Sequence, residues 1–334
     1  MSRVNHQVRL AARPSGLPRA TDWSLTTEEV PDPAEGQFVV AVSHVSIDPA
    51  MRGWMNAVRS YVPPVEIGAV MRAGAVGRVT ASAHPGFAVG DDVYGAFGVQ
   101  EYAISDGRGV ITIDTSLAGP STYLGALGMT GLTAYFGLLD TGKLKEGDTV
   151  VVSGAAGAVG SMAGQIAKIK GAGRVIGIAG GPEKCRALTE EFGFDAAIDY
   201  RAGNVRRALR EHTPDGVDVY FDNVGGDHLA AALATLRPFG RVAMCGAISE
   251  YNASTPVAGP DNLFLAVARN LTLRGFRGSS YVRFRHDMES VIAPLLRDGV
   301  LKYPETIVEG LEHAPDALAR LLRGDTIGKT VVRI

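Results

Sequence analysis

Cysteine is nearly absent: only Cys185 and Cys245 occur in 334 residues. Two cysteines exclude a disulfide framework and a structural zinc site built on Cys clusters. A single disulfide stays open, although a reducing cytosol is the simpler setting. An excess of one charge is also lacking. Lys and Arg number 33 against 35 Asp and Glu, a formal charge of −2. Without a basic surplus, nucleic acid is not expected as a main partner, because neutralising phosphates needs a basic face. A polybasic membrane-surface protein is excluded on the same ground. Met1 to Leu10 contains Arg3 and Arg9 but no apolar core, so no secretory signal is expected and a cytoplasmic location is. The 19 uncharged residues between Asp148 and Lys168 approach membrane-spanning length. They carry Gly154, Gly157, Gly160, Gly164, Ser153, Ser161 and Gln165, so a strand, a glycine turn and a helix account for them better, and no membrane association is expected.

What the chain does have is glycine: 42 residues, about 13%, against about 7% in ordinary proteins. No collagen period explains the excess, so glycine must serve turns or close approaches of the backbone. Apolar residues at 46% and charged residues at 20% are ordinary for a globular protein. The length suggests two domains.

The first 120 residues read as strands and turns, with short β-rich runs at 37–42, 77–81 and 92–95. From about Leu127 strands alternate with helical periods. Strands are expected at 148–153, 174–179, 196–199, 217–221, 240–245 and 271–276. Helices are expected at 159–170, 182–192, 205–211, 228–236, 263–270 and 284–297, and the tail adds a helix at 314–323 and a strand at 329–334. Six short strands with intervening helices predict an α/β fold, a doubly wound parallel sheet beside a β-rich domain.

The run Val150 to Gly160, Val-Val-Val-Ser-Gly-Ala-Ala-Gly-Ala-Val-Gly, is a strand entering a glycine turn and then a helix. A phosphate binds free N–H groups at a helix N-terminus, favoured by the helix dipole. The backbone comes that close only where Cβ atoms are missing. Counting back from Gly160 gives Ala155-x-Gly157-x-x-Gly160, with Ala at the usual first glycine. The strand before and the helix after give this motif its meaning, a tight structural turn being the alternative. After the second strand, an NAD site wants Asp or Glu for the ribose hydroxyls. This chain has Ala179-Gly180-Gly181-Pro182-Glu183-Lys184 instead. Small residues leave room for a 2′-phosphate and Lys184 is placed to pair with it, with Arg186 and Arg201 as further candidates. NADP(H) is therefore expected; Glu183, one helical turn away, is the residue that speaks for NAD.

Gly128-Met-Thr-Gly-Leu-Thr-Ala-Tyr135, the 155–160 turn, Phe221-Asp-Asn-Val-Gly-Gly226 and Cys245-Gly-Ala-Ile-Ser-Glu-Tyr-Asn252 together resemble the medium-chain dehydrogenase/reductase superfamily. Within it they resemble the zinc-independent leukotriene B4 dehydrogenase / prostaglandin reductase / 2-alkenal reductase family. Ser46-Ile-Asp-Pro-Ala-Met-Arg-Gly53 and the terminal Gly328-Lys-Thr-Val-Val add to the match, which spans nearly the whole chain. The resemblance implies a Rossmann domain at 127–301. It also implies a GroES-like, partly open β-barrel domain from 1–126 with 302–334, and a substrate cleft where the two meet. It implies hydride transfer from NADPH to the β-carbon of an α,β-unsaturated aldehyde or ketone, and a homodimer joined through the edge strand 271–276.

Site residues follow from the same resemblance. The turn Ala155, Gly157, Ala158, Val159 and Gly160 would hold the cofactor pyrophosphate, and Gly180, Lys184 and Tyr200 its 2′-phosphate. Met129 and Thr130 would line the nicotinamide end, with Asn223 near the ribose. Cys245, Gly246, Ala247, Ile248 and Ser249 would pass beside it, and Phe276, Arg277 and Gly278 would reach in. Thr326 and Gly328 would add contacts near the C-terminus. Pro49, Ala50, Met51 and Arg277 would face the substrate. Tyr251 would hydrogen-bond the enolate oxygen as the catalytic residue, the alternative being a tyrosine that packs a loop. A phenol suits such donation better than full proton loss at neutral pH.

No metal is expected: no Cys precedes Cys185, and Gly68-Ala-Val-Met71 stands where zinc-bearing relatives carry a ligand histidine. A C=C conjugated to a carbonyl suits a metal-free site, because an enolate can be held by hydrogen bonds. Two departures from the family pattern stand out. Ala50 replaces a substrate-facing tyrosine, and Thr326 replaces an asparagine. A quinone oxidoreductase, a zinc-free alcohol dehydrogenase and a non-catalytic NADPH sensor are the alternative functions.

Overall fold

The computed structural model describes residues 3–58 and 60–334. In chain order the strands are β1 (Arg3–Leu10), β2 (Trp23–Val30), β3 (Phe38–Ile47), β4 (Ala75–Ser82), β5 (Asp92–Gly95), β6 (Tyr102–Ser105), β7 (Ile111–Thr112), β8 (Thr149–Ser153), β9 (Arg174–Ala179), β10 (Ala196–Asp199), β11 (Val217–Asp222), β12 (Leu236–Met244), β13 (Thr272–Gly275), β14 (Glu305–Glu309) and β15 (Lys329–Arg333). The α-helices are α1 (Ala50–Trp54), α2 (Met129–Phe136), α3 (Ala158–Ile169), α4 (Pro182–Arg186), α5 (Val205–His212), α6 (Gly226–Leu233), α7 (Phe264–Ala268), α8 (Arg285–Arg297) and α9 (Ala314–Arg323).

The chain divides into two compact units. One runs up to Gly125 and resumes over Glu305–Ile334; the other is Ala126–Pro304. The first is β-rich. Its seven-stranded sheet has the order β14-β15-β3-β4-β5-β7, with β6 also on β3, and β1 and β2 form a separate antiparallel pair. Thus β15, from the end of the chain, lies antiparallel to β3 with Thr330 opposite Ile47. The core beneath it gathers Phe38, Val40, Val45, Ile47, Met51, Met71, Leu318 and Val332, all buried. α9 closes on this core. Pro315 in its first turn and the left-handed Gly324 after its end are the stop signals expected of such a helix.

The second unit is a six-stranded sheet in the order β10-β9-β8-β11-β12-β13. Every pair is parallel. Parallel strands covered on both faces read as continuous apolar runs, and Val150, Val151 and Val152 of β8 are all fully buried. The sequence-derived α/β class with a parallel sheet and a β-rich sheet is what the fold contains. Some elements differ in extent. The helix expected at 228–236 ends at Leu233, because Thr235 turns its hydroxyl onto the Ala231 and Ala232 carbonyls. Leu236 then already pairs with Val217. The helix expected at 182–192 is α4 followed by a wider turn, Ala187–Glu191.

Strand order positions the site. The chain leaves β8 for β9 and β10 on one side, then returns to β11 on the other. Ligands in such sheets bind outside the carboxyl ends of the strands, where the order reverses. That place is the end of β8 beside the end of β11: Ser153, Asp222 and Asn223.

Candidate active site

The turn after β8 is built from what its residues lack. Gly154 sits at φ +58°, a conformation that L side chains rarely adopt. A Cβ on Gly160 would stand 2.4 Å from the Gly154 carbonyl oxygen and 2.7 Å from Ala155 Cα. The Ala155 N–H is tied to the Ile178 carbonyl of β9 at 3.0 Å, which fixes the turn to the sheet. Gly157 caps α3, and Ser161 N–H is bonded to the Gly157 carbonyl. The N–H groups of Ala158, Val159 and Gly160 therefore lie in the first helical turn, where no intrahelical acceptor exists. This is a cradle for an anion. The residues expected to hold a pyrophosphate are together here.

Beside the cradle, the buried Asp222 carboxylate organises the end of β11. Its Oδ1 accepts from Ser153 Oγ at 3.0 Å, Val224 N–H at 3.1 Å and Gly225 N–H at 3.0 Å. Asn223 donates its N–H to Ser153 Oγ at 2.9 Å and its Nδ2 to the Ser153 carbonyl at 2.7 Å. The Asp222 carbonyl accepts Cys245 N–H at 2.8 Å and Gly246 N–H at 3.1 Å, which brings in the loop after β12. Sequence reasoning named Asn223 but not Ser153 or Asp222. Their signal was a polar residue at the end of each of two apolar strands.

The loop after β12 folds against 223–226. Ile248 N–H meets the Asn223 carbonyl at 3.2 Å, and Ser249 Oγ donates to the Val224 carbonyl at 2.6 Å. Tyr251 turns back over this loop. Its phenolic oxygen accepts the Ala247 N–H at 3.4 Å, and a Cβ on Gly246 would stand 2.9 Å from it. That bond uses an oxygen lone pair and not the phenolic proton. Burial, with Asp222 beside it, pushes the Cys245 thiol up to about 12, so it is no thiolate nucleophile.

The end of β9 carries a second cluster. A Cβ on Gly180 would strike Tyr200 at 2.8 Å and Arg201 Nε at 2.9 Å. Arg201 stacks over the Tyr200 ring at 5.8 Å. Asp199 is turned away from a ribose role: its Oδ1 accepts the N–H groups of Gly181 and Arg201 at 2.8 and 2.9 Å. Lys184 lies in α4, which starts two residues after Gly180. Small residues, an aromatic ring and two cations thus meet where an NAD site would carry an acid.

After β13, Phe276 N–H bonds the Met244 carbonyl at 3.2 Å. The segment then lies on α2, where a Cβ on Gly278 would meet Thr133 Oγ1 at 2.2 Å and Met129 Sδ at 3.1 Å. Met129 is thereby brought beside Gly278, Thr130 is buried, and Arg277 between Phe276 and Gly278 is exposed. The remaining expected residues belong to the first unit. Pro49 precedes α1 and Ala50 begins it, both half-exposed. Met51 is buried, its sulfur accepting the Asp48 N–H at 3.4 Å. Thr326 is buried and Gly328 sits at φ +67° on the turn into β15.

A parallel sheet of this order with a glycine turn at its reversal defines a dinucleotide-dependent oxidoreductase class. The comparisons narrow it. Residues 6–113 match the family model described as the N-terminal domain of oxidoreductase, and residues 158–297 the one described as zinc-binding dehydrogenase. The NADPH-dependent curcumin reductase of Escherichia coli (strain K12) is 42% identical over 335 residues, 99% of this chain and 97% of that one. The 2-alkenal reductase (NADP(+)-dependent) of Nicotiana tabacum is 37% identical over 337 residues, 99% of this chain and 97% of that one. The crystal structure of CurA in complex with NADPH from Vibrio vulnificus superposes with a TM-score of 0.94 at 42% identity, covering 98% of each chain. The chain belongs to the zinc-independent reductases of the medium-chain dehydrogenase/reductase superfamily. Zinc, which the second model's description names, does not fit the residues present: among the described residues no group of three or more His, Cys, Asp or Glu can hold a metal. Nor, among them, is any helix long and apolar enough to cross a membrane.

Proposed function

We propose that the protein is an NADPH-dependent ene-reductase for α,β-unsaturated aldehydes or ketones. The observation that carries this reading is one edge of one sheet. It bears the Ala155–Gly160 cradle, the Gly180–Lys184–Tyr200 cluster and the Tyr251 phenol over Gly246 and Ala247. The relatives named for NADPH-dependent curcumin reduction and 2-alkenal reduction support it over the whole chain length.

The cradle N–H groups would hold the pyrophosphate, and Lys184 with Tyr200 the 2′-phosphate. Asn223, Met129 and the 245–249 loop would bound the nicotinamide end. NADPH, when bound, supplies the hydride. Tyr251 donates a hydrogen bond to the carbonyl oxygen as the C=C electron pair moves towards it, and the resulting enolate is held there. A proton then joins the α-carbon, and the product is the saturated carbonyl. Arg277, exposed after β13, would take a polar end of the substrate. Pro49 and Ala50, with Met51 behind them, would shape the other wall. A second copy is expected to pair along β13, the edge strand of its sheet; Phe264 and Val267 are exposed on α7, the helix that precedes it. Light scattering of the purified protein tests this, and a monomeric mass overturns it.

The function is tested with NADPH and four acceptors: a 2-alkenal, an enone, a quinone and a saturated ketone. Cofactor oxidation is followed by absorbance and products by NMR. A saturated aldehyde or ketone from the first two is the expected result. Oxidation with the quinone alone makes the protein a quinone reductase. Turnover of the saturated ketone alone makes it an alcohol dehydrogenase, and no oxidation with any acceptor favours a sensor.

A further inference from the structure

The first unit contains a charged residue that its fold does not require. The Lys329 side chain is 1% exposed. Replacing buried ion pairs by apolar groups of similar volume is often neutral or stabilising, so stability alone does not explain an ammonium in this place. Its partners point to another reason. Nζ donates to the Ile47 carbonyl at 3.0 Å and to Asp48 Oδ1 at 2.7 Å. These are the two residues immediately before Pro49.

The chain needs an anchor there. β3 ends at Ile47, and Pro49 has no N–H to extend the ladder. α1 is five residues long, too short to hold its own direction. Asp48 supplies the direction because its polar groups are all engaged. Oδ1 takes Lys329, Oδ2 takes the Ser46 hydroxyl, the N–H goes to Met51 Sδ, and the carbonyl accepts the Met51 N–H at 3.0 Å. At the far end of α1 the buried Arg52 holds the Gly16 and Pro14 carbonyls and Asn56 Oδ1 at 3.0, 3.2 and 2.6 Å. Two buried cations therefore bracket the turn that presents Pro49 and Ala50.

We propose that Lys329 is a positioning residue: through Asp48 it fixes the Pro49–Met51 turn and so sets substrate affinity, without touching substrate. This rests on the ene-reductase reading of those three residues. The test separates position from mere stability. Lys329→Met leaves the Asp48 carboxylate buried without its cation and should lower the melting temperature. The double variant Lys329→Met with Asp48→Asn removes both charges and should regain most of that loss. Its KM for the enone should nonetheless stay raised about tenfold, with the NADPH KM within about twofold of wild type. An enone KM that returns with the melting temperature overturns the proposal, and so does an NADPH KM that rises equally. An arm without activity keeps it testable if wild type reduces no enone, which would sink the function reading alone. In hydrogen exchange read by mass spectrometry, the Met51–Met55 amides of the double variant should exchange about tenfold faster while β3 is unchanged. Equal exchange at Met51–Met55 overturns the positioning role.

Discussion

At the end of β8, shape is set by backbone. The cradle depends on Gly154 in a left-handed conformation and on a Gly160 that brings α3 against the Gly154 carbonyl. At the end of β3, shape is set by charge, with Lys329 on Asp48 and Arg52 on two carbonyls. The first device is local, contained in seven consecutive residues, 154–160. The second joins positions 281 residues apart. A backbone site tolerates no added atom, whereas a charge-built turn tolerates atoms and is sensitive to which partner is lost. The two regions should therefore fail in different ways.

The largest effect is expected at the one side chain to which chemistry is assigned. Tyr251→Phe keeps the ring over Gly246 and removes the phenol. kcat with an enone should fall roughly 10- to 1000-fold, the range for losing one oxyanion donor or acid–base group. Steady-state kinetics checks this, and an unchanged kcat removes Tyr251 from the mechanism. Next comes the backbone device. Gly160→Ala places a methyl 2.4 Å from a carbonyl oxygen that cannot swing away. Overpacking of this kind costs about 1–3 kcal/mol, so NADPH binding should weaken by roughly 10- to 100-fold. Isothermal titration measures it, and affinity within about twofold of wild type would mean that the turn is looser than its geometry. Lys184→Ala should act more selectively. The NADPH KM should rise about tenfold, the worth of one charged hydrogen bond, while the NADH KM barely moves. Equal changes for both cofactors would take Lys184 away from the 2′-phosphate.

The contrast between the regions also explains how far the sequence could be read. β5, β9 and β10 match the expected runs 92–95, 174–179 and 196–199, because apolar β-branched stretches there are cut short by glycine or charge. The parallel order follows from the same alternation of strand and helix. α2 escaped notice because Met-Thr-Gly-Leu-Thr-Ala-Tyr-Phe has no polar face to mark a period. β1, β2 and β14 escaped for another reason: their pairing is with segments remote in sequence or with each other. The glycine cradle was legible because its physics is local. Lys329 was read only as part of a terminal family motif, since nothing near Gly328 in sequence announces Asp48. Ser153 and Asp222, 69 residues apart, meet only when β8 and β11 do.

The smallest expected effect lies beside Lys329. In the strand ladder its neighbour on the other side is Glu305, at the start of β14. Ser121 Oγ donates to Glu305 Oε2 at 2.8 Å, while Oε1 is buried without a hydrogen-bond partner. Burial raises the Glu305 carboxyl above its ordinary 4.5, against the pull of the Ser121 hydrogen bond and of Lys329. An acid with a raised folded value contributes stability that is complete below 4.5 and is lost as the pH rises through that raised value. At neutral pH the charged form is therefore the costly one. Glu305→Gln keeps an acceptor for Ser121 and removes the charge. Melting should rise by about 2 °C at neutral pH, the equivalent of roughly 1 kcal/mol in a unit of this size, and the gain should vanish on acidification below the raised value. Differential scanning calorimetry across that range reads both limbs. If melting falls instead at neutral pH, Lys329 needs both carboxylates, and the charge-built region is a three-member network in which Glu305 holds Lys329 against Asp48.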